Sequence, residues 1–340
     1  MIRLPWFEYR APRSVAEVTR ILAGEGPGAM LVAGGTDLLP NMKRRHQSPA
    51  TLIALRGVDE LKAVANGAGL RLGAGLTLSE VVELPELGIA YAGLRQAAAQ
   101  VATPHLRNMG TLGGNVCLDT RCTYYNQSYE WRKAIDFCLK KDGETCWVAT
   151  ASKRCVAVSS TDTAPALIAL DAKVRLASVA GVRDVPIAEL YRNDGIDYLS
   201  RKAEEVLTEV LLPEAKGWRS TYWKLRRRGS FDFPVLGVAA AAKLAADGTV
   251  EAARIALGAV ASRPFLVPKV GEALAGRKLT EEAIEEAAAT VASRAKPMDN
   301  ADMDLYWRKE VVSSFTAYAL RELRGDDMRA VRLRTARQIL

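Results

Sequence analysis

Five cysteines stand in this chain of 340 residues, and all of them lie between Cys117 and Cys155. Four, Cys122, Cys138, Cys146 and Cys155, follow the spacing C-x15-C-x7-C-x8-C. Grouped thiolates are ligands for zinc or for an iron–sulfur cluster. Zinc sites tend to use closely paired cysteine knuckles, and compact ferredoxins use a run of closely spaced cysteines; neither pattern occurs here, so spacing leaves both metals open. Disulfides are not expected. Arg3, Glu8 and Arg10, with Pro5 and Pro12, interrupt any apolar signal-peptide stretch, which points to the cytoplasm, where thiols stay reduced. The fifth cysteine, Cys117, is read as packing.

Two glycine clusters offer a second chemistry. The first is Val32-Ala33-Gly34-Gly35-Thr36-Asp37-Leu38, and the second runs from Thr103 through Asn108 and Gly110-Thr111-Leu112-Gly113-Gly114-Asn115. Glycine removes the Cβ and leaves backbone N–H groups open to phosphate oxygens, although ordinary tight turns use the same residues. Neither cluster contains G-x-G-x-x-G or G-x-x-x-x-G-K-[ST], so a Rossmann site and a P-loop lack support.

Taken together and in this order, the clusters resemble the pyrophosphate-binding loops of the FAD-binding medium subunits of the molybdenum hydroxylase family, the xanthine dehydrogenase and CO dehydrogenase type. The resemblance continues through Asp162, Pro165 and Leu170-Asp171-Ala172, Lys224, Arg227-Arg228 near Phe231-Asp232, and Tyr306 and Arg308. It implies that Val32 to Leu38 and Thr103, Asn108, Gly110, Thr111, Gly113, Gly114 and Asn115 hold FAD. Asp162 would meet ribityl or ribose hydroxyls, and Lys224 would lie near the flavin or its phosphates. A helix N-cap is the alternative for Asp37, and a solvated surface position for Lys224.

The elements that must position these residues can be read in part. Ser14 with Glu17 fits a capping box opening a helix with Val15, Val18, Ile21 and Leu22 on one face. Strands are expected at 29–33, 51–55 and 70–75, and helical patterns at 77–80, 91–101, 280–295 and 305–323. Apolar runs 235–246 and 249–260 flank Asp247-Gly248, a hairpin signal. From Asp119 to Ala157 the chain turns polar and aromatic, with few aliphatic residues for a core, and needs another source of order. The pattern is that of an α+β protein.

The resemblance refines this to a two-subdomain FAD-binding fold of the molybdenum hydroxylase or vanillyl-alcohol oxidase type. Subdomains of 1–57 and 58–215 would carry an iron–sulfur insertion at 119–158, followed by a C-terminal α+β domain at 216–325 and a tail at 326–340. The insertion resembles that of the β subunit of 4-hydroxybenzoyl-CoA reductases, which carries a 4Fe–4S cluster, and on that ground Cys122, Cys138, Cys146 and Cys155 are assigned as cluster ligands. The implied partners are a large molybdopterin subunit, a small 2Fe–2S subunit and ferredoxin as electron donor. No catalytic residue is expected on this chain.

Charge narrows the alternatives. Forty-seven Lys and Arg against 39 Asp and Glu give +8, but the longest basic runs are Lys43-Arg44-Arg45 and Arg226-Arg227-Arg228, too dispersed for a nucleic-acid or membrane-surface binder. His46 and His105 are too few for a histidine-rich metal site and are read as structural or solvent-facing.

Overall fold

The computed structural model describes residues 2–337. Three sheets follow one another along it. Strands β1 (Glu8–Arg10), β2 (Ala29–Val32) and β3 (Thr51–Ala54) form a parallel sheet in the order β1-β3-β2. Parallel strands of one sheet need a crossover, and the helix Val15–Glu25 supplies the one from β1 to β2, on opposite edges of β3, packing Val18 and Leu22 against Ile53, Val58 and Leu61. Its capping box forms only in part: Ser14 accepts from the Glu17 amide at 3.2 Å, whereas the Glu17 carboxylate takes the Arg13 amide at 2.8 Å.

The second sheet is antiparallel, in the order β4-β5-β8-β6-β7, from β4 (Val64–Gly67), β5 (Gly69–Gly73), β6 (Lys173–Ser178), β7 (Gly181–Pro186) and β8 (Val206–Pro213). Between β5 and β6 the chain leaves the sheet. It forms the helices Ala92–Ala99, Leu112–Val116 and Thr163–Ala169, whose Leu94, Leu112 and Leu167 join Leu72, Val174 and Val210 in one core.

The third sheet, β9 (Trp218–Leu225), β10 (Leu236–Leu244), β11 (Val250–Gly258) and β12 (Phe265–Leu266), is ordered β12-β11-β10-β9. The β10–β11 hairpin turns where expected, with Gly248 at φ +84° and Asp247 accepting from the Thr249 amide at 3.0 Å. Side chains alternate across a strand, and β10 uses both faces. Ala239 and Ala241 enter the core of the second sheet, while Val238, Ala240 and Ala242 face the helices Glu281–Arg294 and Leu305–Arg324. The third sheet therefore belongs to two cores at once.

Residues 326–337, read from the sequence as tail, fold back. Met328 is buried, and the helix Arg329–Arg337 sets the Arg332 guanidinium 4.1 Å from the Trp223 ring centroid, donating to Glu322 Oε1 at 2.9 Å and Thr221 Oγ1 at 2.7 Å. Residues 338–340 lie outside the described residues. No described helix is long and apolar enough to cross a membrane.

Replacing Arg332 by Ala removes the stacked cation and leaves Glu322 without that partner. Chemical denaturation should register a loss of about 1–3 kcal/mol; an unchanged midpoint would mean that the Arg332 contacts contribute nothing to the stability of the C-terminal domain.

Candidate functional site

The two glycine loops meet backbone to backbone. A Cβ on Gly34 would fall 1.8 Å from the Met109 carbonyl oxygen, and one on Gly113 would fall 2.7 Å from the Ala74 Cβ. Gly35 turns at φ +69°, in the left-handed region. The second loop is seated on the turn after β5 by Leu112 N to Leu76 O and Gly113 N to Ala74 O, each 2.8 Å, while the Leu78 amide donates to Gly110 O at 2.9 Å. Thr111 caps the Leu112–Val116 helix through the Gly114 amide at 3.0 Å.

Between the loops lies a cavity of about 540 Å³, within the size range of small-molecule sites. Val32, Ala33, Gly34, Gly35, Thr36, Asp37 and Leu38 line it from one side and Gly110, Thr111, Gly113, Gly114 and Asn115 from the other, with Asp162 at its wall. Three residues expected there stand outside the lining. Thr103 caps the next helix through the Leu106 amide at 3.4 Å, and Asn108 accepts from the Ser79 hydroxyl at 2.5 Å. Lys224 is neither solvated nor in the cavity: buried behind it, Nζ donates to Asp162 Oδ2 and Gln100 O, each at 2.9 Å.

Asp162 also accepts from the Tyr222 hydroxyl at 2.8 Å. Burial pushes its carboxyl up and the Lys224 amine down, each opposed by the attraction between them. Asn115 Oδ1 accepts from the Thr161 hydroxyl at 2.8 Å, the Thr163 hydroxyl at 2.7 Å and the Thr163 amide at 3.1 Å, which ties the second loop to the segment carrying Asp162. Asp37 occupies the N-cap position of the Leu38–Lys43 helix but makes no cap bond. Its carboxylate instead pairs with buried Arg121 and accepts from Asn41 Nδ2 at 3.0 Å.

Arg121, with Asp119, Tyr198 and Phe233, lines the cavity without having been expected from the sequence. Arg121 meets Asp37 and Asn41, which are distant in the chain, and no local spacing marks that pairing. Arg121 donates to Asn41 Oδ1 at 3.0 Å and lies 5.2 Å over the Phe233 ring. Through it the polar segment grips the first glycine loop.

That segment is closed at its base by an antiparallel bridge, Arg121 N to Val158 O at 2.8 Å and Val158 N to Arg121 O at 2.7 Å. Inside it Cys122, Cys138, Cys146 and Cys155 are all buried and line one small cavity with Tyr125, Leu139, Val148 and Ala157. The tight loop from Cys138 to Cys146 is held by Lys141 N to Cys138 O and Leu139 N to Thr145 O, each 2.8 Å. Gly195 backs the site so closely that a Cβ there would lie 2.6 Å from Cys155 Sγ. Burial pushes the Cys122 thiol up to about 11 and the Cys155 thiol up to about 12. Among the described residues no three His, Cys, Asp or Glu side chains are placed to hold a metal ion.

Cys117 stands apart, packed against the main core and lining the larger cavity. His46 is buried and stacked 4.3 Å from Tyr125, its imidazole lowered to about 4 chiefly by burial. His105 is exposed.

Comparison with known proteins bears on this geometry. Residues 5–215 match the family model described as the FAD binding domain in molybdopterin dehydrogenase, and residues 220–323 match the CO dehydrogenase flavoprotein C-terminal domain. The aldehyde oxidoreductase FAD-binding subunit PaoB of Escherichia coli is 32% identical over 272 residues, covering 77% of this chain and 83% of its own. The carbon monoxide dehydrogenase medium chain of Hydrogenophaga pseudoflava is 27% identical over 321 residues, covering 93% and 96%. A solved structure of carbon monoxide dehydrogenase from Hydrogenophaga pseudoflava superposes with a TM-score of 0.76 at 26% identity, over 94% of this chain and 98% of that one.

The glycines differ in what they tolerate. Gly34→Ala should lose FAD together with thermal stability, because its Cβ strikes backbone rather than ligand. Gly114 meets only Thr111 Oγ1, at 3.0 Å, the hydroxyl that caps its own helix, so Gly114→Val should lower the melting temperature of the flavin-free protein by less than Gly34→Ala does, while FAD retention falls. Flavin absorbance and calorimetry on both variants separate the two roles; full flavin retention by Gly114→Val would remove that position from the binding surface.

Proposed function

The chain belongs to the FAD-binding medium subunits of the molybdenum hydroxylase family, and from that premise we propose that it is the flavin and iron–sulfur electron-transfer subunit of a cytoplasmic molybdenum enzyme of the 4-hydroxybenzoyl-CoA reductase type. Large molybdopterin and small 2Fe–2S subunits would complete the enzyme. The observation that carries the proposal is the insertion: four buried cysteines lining one cavity next to the flavin site.

Bound FAD supplies one- and two-electron chemistry and can join single-electron centres to a two-electron reaction. Around it, backbone N–H groups of the glycine loops would face the pyrophosphate. Asp162, held by Lys224 and Tyr222, would accept from ribityl or ribose hydroxyls. Lys224 then acts from behind Asp162 rather than on the flavin. Four thiolates are the ligand set of a 4Fe–4S cluster, and metal binding would deprotonate thiols that burial otherwise keeps neutral. In this reading Cys122, Cys138, Cys146 and Cys155 would hold the cluster that a ferredoxin reduces, and the flavin held between the glycine loops would supply one-electron chemistry toward the partner subunits. There two electrons and two protons would convert 4-hydroxybenzoyl-CoA to benzoyl-CoA and water.

A second reading is an outward-running hydroxylase subunit with NAD or a quinone as acceptor and structural zinc in the insertion. The oxidative names of the relatives, among them the aldehyde oxidoreductase and carbon monoxide dehydrogenase subunits, favour it.

Anaerobic purification followed by iron, zinc, sulfide and flavin analysis distinguishes the two. Iron and sulfide in equal amounts with acid-releasable FAD are expected; zinc without iron would select the second reading. Cys138→Ser should lose the cluster and keep FAD, whereas Cys117→Ser should keep both. With Cys138→Ser, turnover should fail with reduced ferredoxin but persist when an artificial dye reduces the flavin or molybdenum directly. Equal loss with both donors would assign the cluster a structural role, and undiminished ferredoxin activity would remove it from the path.

A further inference from the structure

The flavin cavity and the cysteine-lined cavity share one divider. Asp119 lines the first and not the second, and Lys140 and Tyr125 line the second and not the first. Lys140 Nζ donates to Asp119 Oδ1 at 2.8 Å, to Thr120 Oγ1 at 2.8 Å and to the Gly195 carbonyl at 2.6 Å. The Tyr125 hydroxyl takes the other carboxylate oxygen, Asp119 Oδ2, at 3.1 Å. The ammonium also lies 4.8 Å from the Tyr125 ring centroid and 5.6 Å from that of Tyr198, a residue of the flavin cavity. Only 7% of the Lys140 side chain and 8% of the Asp119 side chain are exposed.

With every acceptor and donor fixed, the pair cannot reorient. Its positive end faces the cysteines and its negative end faces the flavin cavity. Stability alone is a weak reason for such a pair, because desolvating two charges offsets most of their attraction and apolar residues of similar volume do as well. A fixed charge in a low-dielectric setting has another effect: it favours or opposes the arrival of an electron nearby, and net charge and solvent exposure are among the determinants of a cluster's potential.

We propose that the Lys140–Asp119 ion pair is a polarised divider that raises the reduction potential of the centre held by the four cysteines and lowers that of the flavin. The proposal rests on the iron–sulfur reading above. Four thiolates concentrate negative charge on one cluster, and Lys140 is the cation that faces them across their own cavity wall. Asp119 opposes electron arrival on the other side and makes the reduced flavin a stronger donor. Each crossing oxidises one centre by one electron and reduces the other by one, with a ferredoxin-type donor replacing the electron and no bond made or broken. Narrowing the gap at this inner step reserves driving force for entry and exit. Lys140 and Asp119 are positioning residues in this scheme, acting through charge.

Redox titration of the assembled enzyme tests it, following the flavin by visible absorbance and the cluster by electron paramagnetic resonance. The double variant Asp119→Asn/Lys140→Gln keeps hydrogen-bonding groups, removes both charges and strands neither. Its flavin midpoint should rise and its cluster midpoint fall, while Lys140→Arg and Tyr125→Phe, which keep the charges, should hold both near wild type. Should the double variant fail to fold, Asp119→Asn alone leaves Lys140 its Thr120 and Gly195 acceptors, and both midpoints should rise, the flavin's more. Unchanged midpoints in the charge-removing variants, or a double variant whose midpoints move together, would overturn the divider. Iron missing from the wild-type enzyme would overturn the iron–sulfur reading instead, and the flavin midpoint of the double variant would then decide the remaining half by rising or not.

Discussion

The contact on which the rest depends is the one between two stretches of backbone, at Gly34 and at Met109-Gly110. No side chain fits between them, since even a methyl group at Gly34 would overlap the Met109 carbonyl. The first loop comes from the end of β2 in the parallel sheet, and the second from the excursion between β5 and β6 of the antiparallel sheet. The flavin cavity therefore exists only while the two units are docked. A ligand that spans both loops stabilises that docking by mass action, so flavin occupancy and the integrity of the amino-terminal half are coupled by construction.

The insertion depends on the same contact at one remove. Its base is closed by the Arg121–Val158 bridge, and Arg121 reaches into the first loop to hold Asp37 and Asn41. Beside that bridge the base is also held by the carboxy-terminal domain, where the Thr123 amide donates to Asn300 O at 3.0 Å and Asn300 Nδ2 donates to Val156 O at 2.5 Å. Within, few apolar residues pack, and the four cysteines share their cavity wall with Tyr125 and Ala157. A metal centre would supply the order that so small a core cannot. The placement also sets the flavin cavity and the small cysteine-lined cavity on either side of the Asp119–Lys140 pair, the condition for a relay within one chain.

What the sequence made legible was local. Both glycine clusters, the Ser14 cap and the Asp247-Gly248 hairpin depend on neighbours within a few positions, and the helices expected at 280–295 and 305–323 formed within a residue of those bounds. Pairs far apart in the chain were hidden. Nothing near Lys224 announces that its partner is Asp162, nor near Arg121 that it will meet Asp37. Thr103 and Asn108 carried the right motif and took structural duties, because the same turn that seats the loop needs a cap and a hydrogen-bonded brace. The closing helix Arg329–Arg337 escaped notice since its docking relies on a stacked arginine rather than an apolar stripe.

The electron-transfer reading requires one chain to hold a flavin and an iron–sulfur cluster on opposite sides of the Asp119–Lys140 pair. Diffraction from crystals of the anaerobically purified protein, recorded above and below the iron absorption edge, addresses it directly. Anomalous density for a four-iron cluster inside the cavity lined by Cys122, Cys138, Cys146 and Cys155, with FAD between the glycine loops, is the expected result. A single zinc peak, or an iron-free cavity beside a fully occupied flavin, would contradict it.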